Sequence, residues 1–562
     1  MTYLLSQILD GAADSAADST AFRCNSESLT YGELLQKANG LAHWLVAHGV
    51  KRGDRIGIYL SKSLESAIAI YGIWKAGAAY VPLDPSAPLS QLTYTLNHCG
   101  VQHLITHRAK RRLLPQILAA SPQIRWIVGL PQHWPDSLPD SLKIEPTITC
   151  CDWADLPASN TAPALKILSQ DLAYILYTSG STGQPKGIMH THYGGLSYAQ
   201  LVAKTYGLTA SDRIGNHSPL HFDISTLGFF AGPLVGATTV ILPEAYTKLP
   251  ASLSQLIEDE ALSIWYSVPF ALTQLLLRGV LAARNLETLR WVLFAGEPFP
   301  AKYLYALMAH LPQARFSNIY GPAEVNQCTY YHIPRLAEGA PMPEDLSPIG
   351  QVWDNSEGLV VDEFDRPVIS GEVGELLVRT ATMMSGYWQR PDLTAKAFFH
   401  TSIANQPAVF YRTGDLVQEI GGQYQFLGRK DRQIKTRGYR VELDGVEAAL
   451  VAHPAIEEAA TYAMPYEGGS HQIGASIILK PGAALSETDI RRYASDRLPA
   501  YAVPQAISIV STFPRTGTGK IDRLSLQSAT QSAATQKQIK RQIESQTEMQ
   551  TERQTERLVE SS

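Results

Sequence analysis

The sequence of 562 residues has little that would take it to a membrane, a nucleic acid or an oxidising compartment. Its longest apolar stretch, around Ala67 to Leu83, is broken by Lys75 and Pro82 and falls well short of a membrane span. No Lys/Arg block stands out before the C-terminal tail and the formal net charge is −5, so neither nucleic-acid nor membrane-surface binding is expected. Met1 to Gln7 has no basic region, and no signal peptide is read there. The five cysteines are odd in number and lack Cys-x-x-Cys spacing, which points to reduced thiols in a cytoplasmic protein and away from structural zinc.

What is present is ample apolar material, 45 % of the residues, on a chain too long for one ordinary core. Short apolar, β-branched runs such as Asp54 to Leu60 and Ala237 to Leu242 alternate with amphipathic stretches such as Leu64 to Trp74, as strands and helices do in α/β sheets. Residues 1–430 therefore read as a large α/β domain with several sheets. From Asp431 to residue 526 the pattern becomes a compact strand–helix mixture with apolar positions of its own (Ile473, Ile477, Ile478, Leu498), expected to form a small α+β lid. Residues 527–562 are rich in Gln, Thr, Glu and Ser, and disorder or a loose solvated helix is expected there.

The most informative local feature is Tyr177-Thr-Ser-Gly-Ser-Thr-Gly-Gln-Pro-Lys-Gly187, where hydroxyls surround glycines that let backbone N–H groups approach an anion. It is not a Walker loop, because Lys186 lies between Pro185 and Gly187. Along the chain, with it, come Leu29 to Leu34, Lys75 to Pro85, Asn318-Ile-Tyr-Gly-Pro-Ala-Glu324, Gly374 to Leu376, Tyr411 to Leu416, Gly428 to Arg440, Leu498 to Tyr501 and Thr518-Gly-Lys520. This ordered series resembles the adenylate-forming superfamily over roughly residues 10 to 525. More narrowly it is similar to stand-alone amino-acid adenylation enzymes of the nonribosomal-peptide type, which implies ATP and Mg²⁺ as cofactors and a mobile lid.

Forming an acyl adenylate brings a carboxylate against the α-phosphate of ATP, so cations and hydroxyl donors carry the chemistry. The resemblance implies that Thr178, Ser179, Ser181, Thr182 and Lys186, with Gly180 and Gly183, hold phosphates, and that Glu324 takes Mg²⁺. Ala323 stands where the family has Thr, so one phosphate contact passes to Mg²⁺ or water. Asn318, Ile319, Tyr320 and Gly321, with Gly296 and Glu297, line the adenine side, and Asp415 takes the ribose hydroxyls. Arg429 is a nucleotide neighbour, Arg440 is unassigned, Lys520 is the lid lysine that reaches the reacting carboxylate, and Asp431 is the hinge.

Asp223 in Phe222-Asp-Ile-Ser225 reads as the partner of an α-ammonium group, since a buried carboxylate needs one; the alternative is a helix N-cap. The rest of the pocket maps by resemblance to Phe222, Ile224, Leu227, Tyr266 or Ser267, Leu293, Ala295, Ile319, Gln327 and Cys328. None of these brings a charge, so a small or medium uncharged amino acid is expected, and the pattern with Tyr266 is similar to that of proline-activating enzymes. Gln327 departs from the aliphatic residue usual there and leaves a hydroxylated amino acid open. Ser137 and Ser141 in Asp-Ser-Leu contexts lack the Gly-Gly pair of a carrier site, and no His-His-x-x-x-Asp-Gly condensation motif occurs. An acyl or peptidyl carrier protein is therefore expected in trans, with the enzyme a monomer or homodimer. The competing readings are an acyl- or aryl-CoA ligase and, more remotely, a non-catalytic scaffold.

Overall fold

Two large sheets face one another across a layer of helices. The computed structural model describes residues 2–134, 148–180, 183–337, 339–343, 346–516 and 520–532. Ser137, Ser141, Ser181, Thr182 and the Gly517-Thr-Gly519 approach to Lys520 lie outside the described residues.

Among those described, the first sheet has nine strands in the order Gln351–Val352, Thr329–Ile333, Arg315–Tyr320, Trp291–Ala295, Ile264–Ser267, Arg213–Asn216, Thr238–Ile241, Thr20–Cys24 and Glu27–Thr30. Its central strands are parallel, with Tyr266 opposite Leu293 and Leu293 opposite Ser317. Both faces are covered, so Trp291–Ala295 is apolar throughout: Trp291, Leu293 and Ala295 enter the central core, whereas Val292 and Phe294 enter a second core on the outer side. The second sheet runs Gly386–Tyr387, Lys186–Thr191, Leu172–Thr178, Ala79–Pro82, Arg55–Ile58, His103–Ile105, Trp126–Val128 and Thr149–Cys151. The helices Leu64–Lys75 and His192–Tyr206 contribute to the layer between the sheets, and every residue of the first except Glu65 is buried. These elements lie where the sequence periodicities put them.

A five-stranded antiparallel sheet follows, formed by Ser356–Val361, Val373–Thr380, Gln406–Ile420, Phe398–Ile403 and Gln423–Arg429. Beyond it the hairpin Gln433–Thr436/Tyr439–Glu442 leads into the strands Ile456–Pro465, His471–Leu479 and Ala506–Ile509, with helices Leu443–Val451 and Glu487–Ser495. This part has its own core, which includes Val446, Ile473, Ile477, Ile490 and Leu498. Strand alternation sends Ile478 to the other face, towards a smaller cluster with Tyr462, Phe513 and Leu526.

The Gln/Thr/Ser-rich stretch does not leave the fold at residue 526, where the tail was expected to begin. Residues 523–532 are helical, and the four-residue spacing of Leu526 and Thr530 puts both on one face, where both are buried. Thr530 Oγ1 lies 2.6 Å from the Tyr462 hydroxyl. All five cysteines are buried and unpaired. Among the described residues no helix is long and apolar enough to cross a membrane.

Candidate functional site

A cavity of about 190 Å³ opens at the carboxyl ends of the parallel strands Arg213–Asn216, Ile264–Ser267, Trp291–Ala295 and Arg315–Tyr320. Loops leaving such strand ends diverge and leave a crevice there. Three walls come from the large domain, and the hairpin Gln433–Thr436/Tyr439–Glu442 forms the fourth.

Next to Ala323, which lines the cavity, lies Glu324, fully buried. The Tyr387 hydroxyl donates to its Oε1 at 2.7 Å, Arg440 Nη1 donates to its Oε2 at 2.7 Å, and Lys186 Nζ lies 3.6 Å from Oε1. Burial alone would raise the pKa of this carboxylic acid, but Arg440 and Lys186 outweigh it and hold Glu324 well below the usual carboxylate range. The phosphate-type loop runs alongside. Ser179 Oγ donates to the Arg440 carbonyl at 2.9 Å, while the buried Thr178 hydroxyl has no partner among the described residues. A Cβ on Gly445, in the first turn of helix Leu443–Val451, would stand 2.5 Å from the Gly180 carbonyl oxygen and 3.3 Å from the Gly183 nitrogen, so the small domain sits directly on this loop.

In the middle, Asp415 is buried and takes hydrogen bonds from the Tyr320 hydroxyl and Arg429 Nη1. Burial pushes its pKa up, against the pull of Arg429 and Tyr320. Arg429 also grips Asp431 with two bonds, of 2.6 and 2.7 Å, tying the expected hinge to the expected ribose ligand. The Asn318 amide donates to the Pro348 carbonyl at 2.9 Å, and Asn318, Ile319, Tyr320 and Gly321 all line the cavity. Gly296 lines it too. Glu297 accepts from the Phe270 N–H at 2.8 Å and from Gly438 N–H and Ser470 Oγ at 3.2 and 3.1 Å, so it bridges the two domains.

At the other end Asp223 begins a 3₁₀ turn, Asp223–Ser225, that passes into a π-helical turn, Leu227–Ala231, a geometry common at functional sites. Its carboxylate accepts the N–H of Ile224, the next residue of that turn, at 2.9 Å. Burial pushes its pKa up to about 6, against the pull of Lys435. Phe222, Ile224, Tyr266, Ala295, Ile319 and Gln327 line this end. Strand alternation separates Tyr266 from Ser267: Tyr266 faces the central core, and Ser267 faces away, accepting from Trp265 Nε1 at 2.9 Å. Leu227 and Leu293 lie in the core behind the pocket rather than on its wall, and Cys328 packs beneath the antiparallel sheet with Sγ 3.6 Å from the Tyr320 carbonyl oxygen.

Lys520 is exposed and does not line the cavity. The cations that do enter from the small domain are Arg440, which sequence reading left unassigned, and Lys435, which it missed. They are direct cross-strand partners in the hairpin. Like charges opposite one another repel, so such a pair is tolerated where anions face it. Here Arg440 meets Glu324, and Lys435 lies in the field of Asp223 and Asp415. Burial and Arg440 lower the pKa of the Lys435 ammonium, and those carboxylates oppose this. Two cations on alternate sides of an Arg-Gly turn, Arg437-Gly438, were the signal available in the sequence.

Residues 9–388 match the AMP-binding enzyme family, and residues 445–520 match the AMP-binding enzyme C-terminal domain. The chain belongs to this family. The AMP-binding enzyme is 34 % identical over 517 residues to the L-proline–(L-prolyl-carrier protein) ligase of Pseudomonas fluorescens, covering 90 % of this chain and 95 % of that one. It is likewise 34 % identical over 515 residues to the ligase of the same name from Streptomyces coelicolor, covering 90 % and 93 %. Among solved structures, the adenylation domain AlmE of Vibrio cholerae in complex with glycyl-adenosine-5'-phosphate superposes with a TM-score of 0.80 at 24 % identity, over 94 % of this chain and 98 % of that one. That likeness speaks for the fold.

Proposed function

We propose that this AMP-binding enzyme activates a small uncharged amino acid, L-proline, as its adenylate and passes the acyl group to the phosphopantetheine thiol of a separate carrier protein. The observation that carries the reading is Asp223, a half-buried carboxylate that lines the pocket among Phe222, Ile224, Ala295 and Ile319. Lys435, the cation that bears on it most, comes from the small domain. When that domain turns away, the ammonium group of an amino acid is the matching counter-charge. The two prolyl-carrier ligases, matched over nearly their whole length, support proline and a carrier in trans.

In the first half-reaction a substrate carboxylate oxygen attacks the α-phosphorus of ATP, forming the mixed anhydride and breaking the bond to pyrophosphate. Thr178, Ser179 and Lys186 cradle the departing phosphates, Asp415 holds the ribose, and Lys520 neutralises the two approaching anions. Glu324 suits a divalent cation, being a buried carboxylate kept ionised. Bound there, Mg²⁺ would neutralise charge on the pyrophosphoryl group. In the second half-reaction the carrier thiol attacks the acyl carbon and AMP departs. The described arrangement, with Arg440 on Glu324 and Gly445 against the phosphate loop, suits this later step. Arg440 must leave Glu324 before a metal can bind. We place the domain boundary at Lys430/Asp431 and the hinge at Asp431.

The test is amino-acid-dependent ATP–pyrophosphate exchange across the proteinogenic set, with benzoate and a fatty acid included. Strong exchange with proline supports the reading. Exchange confined to a non-amino acid would remove the ammonium role of Asp223 and leave a CoA ligase.

A further inference from the structure

The far end of the amino-acid pocket is polar. Gln327, only 2 % exposed, lines the cavity, and its Nε2 donates to the Tyr266 hydroxyl at 2.6 Å. Its Oε1 is buried without a partner among the described residues. The hydroxyl of Tyr198 is also buried and neighbours Gln327 and Thr226. Next along the chain, the buried Asn326 also lines the cavity and neighbours the Tyr174 hydroxyl. Opposite them the wall is apolar, with Ile224, Ala295 and Ile319.

A pocket evolved for an unadorned hydrocarbon ring gains nothing from a buried amide with one half spent and the other idle, because the idle half has given up water for no return. The assignment of nitrogen and oxygen within the amide does not alter this. Exchanging them would have Tyr266 donate and would leave the NH₂ group free instead. A hydroxyl both donates and accepts, and so complements either arrangement. A cationic or anionic side chain would not, since it would set a full charge against a neutral amide and neutral hydroxyls.

We propose that Gln327 is a specificity-determining residue and that the enzyme accepts a ring-hydroxylated L-proline at least as well as L-proline itself. The inference rests on the amino-acid-activating function proposed above and narrows it. Its test is ATP–pyrophosphate exchange with L-proline and with the cis and trans isomers of 3- and 4-hydroxy-L-proline, on the full chain and on Gln327→Met. The expected result is that the best hydroxylated isomer has a kcat/KM equal to or above that of proline, and that Gln327→Met lowers the hydroxyproline-to-proline ratio by about tenfold or more. All four isomers lying tenfold or more below proline in the wild type would overturn the proposal. So would a ratio unchanged in the variant. Exchange with none of these amino acids would instead strike the parent reading, which keeps the two failures apart. Should Gln327→Met be insoluble, wild-type Kd values for the non-hydrolysable sulfamoyl analogues of prolyl and hydroxyprolyl adenylate read the same preference. Tighter binding of a hydroxylated analogue supports the proposal, and tenfold weaker binding of all of them rejects it.

Discussion

The small domain carries its cations on two unlike surfaces. The hairpin around Arg437-Gly438 is buried in the cavity, with Arg440 bonded to Glu324 and Tyr439 stacked on Tyr501 at 4.0 Å and edge-on to Phe222 at 5.0 Å. Lys520 stands on an exposed loop outside the cavity. A lysine that is solvated in one arrangement and an arginine that is fully engaged in it are what a two-step enzyme needs if each step uses a different face of one lid. On the proposed function, this arrangement is the one suited to the thioester-forming half of the cycle.

The sharpest way to break this comparison is to remove the absent cation. Lys520→Ala should lower ATP–pyrophosphate exchange by about 10²–10³-fold, the scale of losing one preorganised donor to developing charge. Unchanged exchange would show that Lys520 never enters the site.

The next largest effects fall on the opposite face. A Cβ on Gly438, where φ is +85°, would meet Val268 Cγ1 at 2.5 Å, so Gly438→Leu blocks the described arrangement. Asp431→Pro stiffens the hinge by restricting φ. Both should keep exchange within about threefold and slow carrier loading by about tenfold or more, by analogy with other closure steps. Equal loss of both half-reactions in Asp431→Pro would move the hinge elsewhere.

A smaller effect comes from pH. With its pKa near 6, Asp223 is ionised at neutral pH and takes up a proton as pH falls through that value. The charge that pairs with the substrate ammonium is thereby lost, so KM for the amino acid should rise about tenfold between about pH 7 and about pH 5, while kcat changes less. For folding the sign is the reverse: a carboxyl whose pKa is raised in the folded state disfavours that state above its unfolded value and relieves it as pH falls. A KM flat across this range would detach Asp223 from the ammonium group. The smallest effect tests the start of the tail. Thr530→Val breaks the bond to Tyr462 and should cost about 1 kcal/mol in stability, measured by denaturant unfolding, with exchange unchanged.

Legibility in the sequence followed the range of each interaction. The strands Arg55–Ile58 and Thr238–Ile241 and the helix Leu64–Lys75 follow from local periodicity, and so they stand where composition put them. Ser267 and Tyr266 could not be told apart from the chain alone, because choosing between them requires knowing which sheet face meets the central core. Leu293 has the right parity for the pocket and still sits one layer too deep. Arg440 stayed unassigned because its partner Glu324 is 116 residues away, across a domain boundary that no local pattern spans. Thr530 was hidden by composition: a polar tract reads as tail until a hydroxyl on another strand pairs with one of its members.

The central claim, that the two faces of the lid serve different half-reactions, is tested most directly by giving the enzyme preformed prolyl adenylate and following acyl transfer to a holo carrier protein. Lys520→Ala should transfer at close to the wild-type rate, whereas Arg440→Gln, which removes the grip on Glu324 seen here, should transfer about tenfold more slowly or worse. Equal rates in the two variants, or a loss confined to Lys520→Ala, would contradict the claim.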